Sequence, residues 1–316
     1  MKKSITFNGV LKIIGNVVMI IAIVFIVKRL LSYDIDYSFI VQGNNLWIFI
    51  GLIIAYAVSV IITSIPWKNM VYLITSEKIR FIEVATVSTK ANVMKYIPGN
   101  VFQYIGRNEL AVEKGLAHKE VAFSTLFDVA INLGSVFLVT LIFSYDTIVD
   151  WLNQKMGISL SVIAVILVIV GCLAVGVFAF LLKKKRLPLV ERIVSKKGCI
   201  TVVGNIGLYV VLSLYTTWIY IHVLQMVSGG IFQRDAYWLV AGAVLASWII
   251  GFVTPGAPGG MGVRESMLLI MLGGIMSEEA ILLGVVINRV VSILGDLLAL
   301  FIMQIVYKVR RMRKSE

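Results

Sequence analysis

Seven runs of mainly apolar sequence, at residues 10–31, 46–65, 121–143, 159–182, 201–224, 236–253 and 281–307, leave this chain one class of fold. Each approaches or exceeds the roughly 20 residues with which an α-helix crosses the hydrocarbon core of a bilayer. Inside lipid every backbone N–H and C=O must be satisfied within the protein, so such runs become helices and the chain an all-α polytopic membrane protein. The 316 residues are 59% hydrophobic and only 15% charged, against about 25% charged in soluble domains. The polar sequence between the runs is too short for a soluble domain, and residues 1–316 read as one integral membrane domain. The first run is too long for a signal-peptide core and has no small-residue cleavage site, so it reads as a retained span.

Two motifs interrupt the apolar pattern. Residues 254–265 read Thr-Pro-Gly-Ala-Pro-Gly-Gly-Met-Gly-Val-Arg-Glu. Pro255 and Pro258 lack the backbone N–H that a helix needs, and Gly259, Gly260 and Gly262 lose the most entropy on ordering. The chain must unwind here, and unwound backbone among membrane spans survives only where it is buried in protein or lines a wet cavity. Arg264 and Glu265 then open the next apolar run, so a charged helix N-terminus follows the break, an arrangement suited to an anion. Residues 95–109 repeat the plan as Lys-Tyr-Ile-Pro-Gly-Asn-Val-Phe-Gln-Tyr-Ile-Gly-Arg-Asn-Glu. Pro98 and Gly99 break the chain, a short piece carrying Gln103 follows, and Arg107, Asn108 and Glu109 close it. Residues 79–116 are too charged for a lipid-facing span and read as a hairpin dipping in from the cytoplasm. The alternative is an amphipathic helix pair on the membrane surface.

The net charge of +12 reports topology rather than nucleic-acid binding. Seven basic residues lie in 183–197 and five in 308–316, both short flanks of apolar runs, and such flanks mark the cytoplasmic side. Lys2, Lys3 and Lys12 place the N-terminus on the same side, whereas Asp34 and Asp36, and later Asp146 and Asp150, occupy outer loops. With both flanks inside, residues 236–276 must begin and end outside, as a hairpin that re-enters and breaks at 255–262. Each half, 1–150 and 151–316, then holds two spans, a Pro-Gly-broken hairpin and a third span. Six full spans and two re-entrant hairpins in an inverted repeat result, as in many transporters. The alternative is eight spans, with 236–253 and 263–276 crossing separately. The expected location is the cytoplasmic membrane with both termini cytoplasmic.

Few residues offer catalytic chemistry. His118 and His222 have no partners at ligand spacing, Cys172 and Cys199 imply no disulfide framework, and the sequence has no zinc-protease, nucleophile-elbow or Walker motif. No cofactor or metal is expected, and the chain reads as a non-enzyme. The informative groups are charges inside apolar runs. Ser124, Asp128, Asn132 and Ser135 share one helical face, and a carboxylate there costs roughly 2.5–3.5 kcal/mol unless it is paired or wetted. Arg289 and Asp296 lie two turns apart on the closing run, and Arg289 is expected to meet Asp296, Asp128 or a lipid phosphate. Glu109 and Glu265 are expected to compensate Arg107 and Arg264, and Asp128, Glu109, Glu265 and Asp296 are candidates for proton carriage or simple charge pairing. Trp47, Trp67, Trp151, Trp218 and Trp238 sit near span ends, where most read as interfacial anchors.

The two motifs, in this order and spacing, resemble the lysylphosphatidylglycerol synthase transmembrane-region family, also called the flippase-like domain family. The matching positions are Tyr96, Pro98, Gly99 and Arg107, then Thr254, Pro258, Gly259, Gly260, Gly262, Arg264 and Glu265, and finally Arg289. Two departures stand out: Ala257 and Pro258 lengthen the second motif, and Asp128-Val129-x-x-Asn132 replaces a Glu-Arg-x-x-Asp pattern. No aminoacyl-transferase sequence follows within these residues, so lysine transfer from tRNA is not expected of them. The resemblance implies movement of a charged lipid between leaflets, with Arg107, Arg264, Arg289, Gln103, Asn108 and the motif glycines as the substrate-binding set. The implied cargo is an anionic phospholipid or a polyprenyl-phosphate-linked sugar. Two other functions share the topology: a non-transporting scaffold for a membrane enzyme such as an envelope glycosyltransferase, and an intramembrane lipid-modifying enzyme.

Overall fold

The computed structural model describes residues 40, 42–96, 102–113, 115–156, 188–230, 236–254 and 262–313. All regular structure among them is helical, with no strand. The first and fourth apolar runs, 10–31 and 159–182, lie outside the described residues, as do Pro98, Gly99, Pro255, Pro258, Gly259 and Gly260.

Helices α1 (Asn45–Ile62) and α2 (Ser64–Thr75) together make one apolar stretch, Asn45–Thr75, of 31 residues. The run at 46–65 therefore extends a further ten residues. Pro66 explains the division between the two helices: it cannot supply the N–H that would bond the carbonyl of Ile62. Helix α3 (Phe81–Val93) ends in a 3-10 turn, Met94–Tyr96, and α4 (Phe102–Val112) follows the first Pro-Gly break. Helix α5 (His118–Met156) runs for 39 residues. The loop expected around Asp146 and Asp150 is helical instead, because no glycine or proline falls between Gly134 and Met156 to stop it.

The short α6 (Pro188–Val194) leads into α7 (Lys196–Ser228), whose start is capped by the Ser195 hydroxyl accepting from the Gly198 N–H. Helix α8 (Ala236–Val253) precedes the second break, α9 (Val263–Leu272) follows it, and α10 (Glu278–Met312) closes the chain. Among the described residues four stretches are long and apolar enough to cross a membrane, namely Asn45–Thr75, His118–Phe143, Lys196–Ser228 and Glu278–Met312, while α8 falls short of that length. Their outward faces carry large exposed apolar side chains, among them Trp47, Leu126, Ile142, Val203, Val211 and Phe301. In water such a surface would be costly, whereas facing lipid it is not.

Each pair of short helices, α3 with α4 and α8 with α9, folds on itself and then onto a long helix distant in the chain. Helix α3 packs on α4 and α10, and α8 packs on α9 and α5. Each second helix rests on the helix that follows it, α4 on α5 and α9 on α10. Separate apolar cores lie under the two pairs. Trp67, Val84, Val87, Ala91, Leu110 and Val121 fill the first. Leu224, Val240, Val244, Leu268, Leu272 and Ile281 fill the second. A third cluster, with Leu52, Ile219, Val223, Ile287 and Val291, joins α1, α7 and α10 between them.

Candidate functional site

A cavity of about 400 Å³ opens between the two broken pairs, with walls from α1, α3, α4, α5, α7, α8, α9 and α10. Four cations line it: Lys95, Arg107, Arg264 and Arg289. Among the described lining residues only Asp128 is a carboxylate.

Three of the cations are held by ion pairs. On the first pair, Arg107 donates from Nη1 to Asp128 Oδ2 at 3.2 Å, and its guanidinium lies over the Trp67 ring, 4.9 Å from the centroid. The Tyr209 hydroxyl donates to the other carboxylate oxygen at 2.7 Å. Both oxygens of Asp128 are thus engaged, which relieves the cost of placing it in a span. Ser124 and Ser135, on the same face, donate back to the carbonyls of Glu120 and Ile131 on their own helix, while Asn132 lines the cavity.

Lys95 lies 2.7 Å from Asp296 Oδ2, and the Tyr96 hydroxyl donates to the same oxygen at 2.5 Å. Asn92 donates to Oδ1 at 2.6 Å. Asp296 is buried beneath the wall and binds the end of α3 to α10. The third pair is Arg289 with Glu265, which joins α10 to α9.

These pairings correct the expected ones. Arg289 meets Glu265 because Asp296 and Asp128 are already taken by Lys95 and Arg107. Glu265 consequently forms its ion pair with Arg289 and none with Arg264. Glu109 forms no ion pair with Arg107 among the described residues; its Oε1 lies 3.9 Å from His118 Nδ1, and it is not a lining residue. Asn108 is also off the cavity wall, with its Oδ1 buried and unpartnered. Trp67 is not an interfacial anchor: it is 2% exposed, and its Nε1 donates to Thr125 at 3.1 Å. Trp47, Trp218 and Trp238 do face outward, and the Trp151 side chain lies outside the described residues.

Arg264 stands apart. It follows Gly262, whose φ of +82° is open to glycine and strained for other residues, and it occupies the first turn of α9, which has no side-chain cap. Its stem runs across Gly251 of α8, where an added Cβ would come within 2.6 Å of Cγ and 2.8 Å of Nε. No ion pair to it forms among the described residues. Its Nε is buried without a hydrogen-bond partner, as is that of Arg107, which unlike Arg264 has an ion pair. Such an orphaned donor costs about 1–3 kcal/mol, more when charged. The motif glycines 99, 259 and 260 lie outside the described residues, so the backbone around the breaks adds nothing to this geometry.

Of the residues singled out from sequence, the structure brings Arg107, Arg264, Arg289, Gln103 and Asp128 to one cavity. Asp296 and Glu265 stand behind it as counter-ions. Sequence reasoning missed Tyr56, Asn92, Tyr104, Tyr220 and Asn288, and missed the partner of Lys95. A signal was available: Tyr56, Ser59 and Thr63, and likewise Tyr209, Ser213, Thr216 and Tyr220, recur at helical spacing along runs that are otherwise apolar, and every one lines the cavity. Comparison with family models, curated proteins and solved structures gives no match.

Proposed function

We propose that this chain is a lipid-flippase-type transporter, moving an anionic lipid or lipid-linked headgroup between leaflets of the cytoplasmic membrane. The observation that carries the proposal is Arg264, a cation whose Nε is buried and unpartnered, at the wall of a polar cavity shared by both broken pairs. Three cations and three carboxylates neutralise one another there, which leaves Arg264 as the net positive charge. A phosphate oxygen supplies the missing acceptor, and guanidinium matches phosphate in a bidentate fork. The volume falls in the range of about 300–1,000 Å³ typical of small-molecule sites, enough for a headgroup while the acyl or prenyl chains stay in lipid.

The reciprocal packing of α3 on α10 and α8 on α5 favours the inverted repeat of 1–150 and 151–316 with two re-entrant hairpins. Rocking of one half against the other would expose the cavity to each leaflet in turn. The sequence resemblance to flippase-like membrane regions points the same way. Reconstituted proteoliposomes test the proposal: leaflet exchange of a fluorescent anionic lipid is expected to exceed that in empty vesicles, and folded Arg264→Ala and Arg289→Ala proteins are expected to lose at least tenfold of that excess rate. Exchange at the empty-vesicle rate by the unmodified protein, for phospholipid and polyprenyl-linked sugar alike, would overturn it.

A further inference from the structure

Resting on that reading, we infer that the headgroup is a phosphodiester with a neutral, hydroxyl-bearing cap and that ammonium-bearing headgroups are excluded. Among the described residues, the charges on the wall leave one cation, Arg264, without an ion pair and no carboxylate without one. The one lining carboxylate among the described residues, Asp128, has both oxygens engaged, by Arg107 at 3.2 Å and Tyr209 at 2.7 Å. Asp296 takes Lys95, Tyr96 and Asn92, and is not a lining residue. Glu265 gives one oxygen to Arg289; its other, Oε2, is buried and unpartnered behind the wall. An ammonium entering the cavity would face Lys95, Arg107, Arg264 and Arg289 with no uncommitted carboxylate among the described lining residues, and like charges repel strongly where water is scarce.

Neutral polar groups occupy the rest of the wall. Tyr56, Tyr104, Tyr220, Asn132, Asn288 and Gln103 line the cavity. Phenol hydroxyls and side-chain amides donate and accept alike, which suits hydroxyl groups that do the same. Arg264 then addresses the phosphate and this polar wall addresses its cap. A site built to hydrogen-bond hydroxyls discriminates strongly, because its own buried groups go unpaired when the cap is missing. Two sources share this chemistry: a glycerophospholipid with a polyol head, and a polyprenyl phosphate carrying a sugar.

The test is binding, measured by calorimetry on the full-length chain in detergent. The probes are short-chain phosphatidylglycerol, phosphatidylserine, phosphatidylethanolamine and phosphatidic acid, with a short polyprenyl-phosphate hexose. Phosphatidylglycerol and phosphatidylserine carry the same net charge, so the comparison sets a neutral diol head against an ammonium–carboxylate head, and phosphatidylethanolamine presents the ammonium without the carboxylate. Phosphatidylglycerol or the phosphohexose is expected to bind at least tenfold more tightly than phosphatidylserine or phosphatidylethanolamine, and more tightly than phosphatidic acid. Whichever of the two binds better identifies the source. Arg264→Ala is expected to lose that affinity at least tenfold, Arg264→Lys less. Gly251→Ala, which displaces the Arg264 stem from a neighbouring helix, is expected to reproduce the loss and so guards against misfolding of the first variant.

Phosphatidylserine binding as tightly as phosphatidylglycerol and the phosphohexose would overturn the hydroxyl-cap inference and leave an anionic-lipid site standing. Phosphatidic acid binding most tightly would do the same. Preference for phosphatidylethanolamine, or no binding of any probe by the folded chain, would overturn the inference together with the transport proposal.

Discussion

Asp296 has no exposed side-chain surface and is engaged by three donors, all of them from residues about 200 positions earlier in the chain. Removing its cation leaves a buried carboxylate held only by neutral groups. Lys95→Met is therefore expected to destabilise the folded chain by an amount at or below the lower end of about 3–5 kcal/mol, since a quarter of the Lys95 side chain is exposed. Adding Asp296→Asn, which removes the stranded charge, is expected to restore at least half of that loss. Denaturation midpoints in detergent check both, and a Lys95→Met cost within about 0.5 kcal/mol, the range of an inert surface change, would contradict the assignment. Individual charges were legible in the sequence because a charge in an apolar run always needs an explanation. Their partners were not, since the sequence left Arg289 a choice of Asp296, Asp128 or a lipid phosphate, and only the register between α9 and α10 selects Glu265.

The elements themselves followed closely from apolar periodicity, and their contacts depend on where small residues let helices approach. Gly295 of α10 faces α1 so closely that a Cβ would stand 2.7 Å from Tyr56 Cδ1 and 3.1 Å from the Ile53 carbonyl oxygen. Backbone cannot move aside as a flexible side chain can. Gly295→Val is expected to cost about 1–3 kcal/mol of stability by overpacking and to shift Tyr56 at the cavity wall. Gly134→Ala in α5, where nothing lies within 4 Å, is the matched control. It is expected to be neutral or to stabilise by up to about 1 kcal/mol. Thermal unfolding of both variants in the same detergent decides the point, and equal midpoints would mean that α1 and α10 tolerate separation. The ends of α3 and α8 and the starts of α4 and α9 were legible from Pro98-Gly99 and the 255–262 run, most of which lies outside the described residues. The far end of α5 was misread, because acidic residues after an apolar run resemble a loop when only charge is considered, while the absence of glycine and proline lets the helix continue. Trp67 was misread for a related reason: a run ending near residue 65 puts it at an interface, and a run reaching Thr75 puts it inside, against Arg107.

At the scale of the whole molecule, two broken helix pairs lean on each other's long helices and enclose one cavity between them. Their reciprocity is a property of packing between helices far apart in the chain, with little trace in residue identity. If the halves rock around a shared site, its wall must meet water from each side of the membrane at different times. Thr216 of α7 lines the cavity and bonds only to its own helix, at the carbonyls of Leu212 and Ser213, so it is a suitable reporter. The most direct measurement is labelling of Thr216→Cys, with Cys172 and Cys199 replaced by serine, using a membrane-impermeant maleimide in right-side-out and inside-out vesicles. The account predicts labelling in both preparations, slowed in both by the headgroup that binds most tightly. Labelling confined to one side, with the same cysteine fully reactive after denaturation, would contradict it.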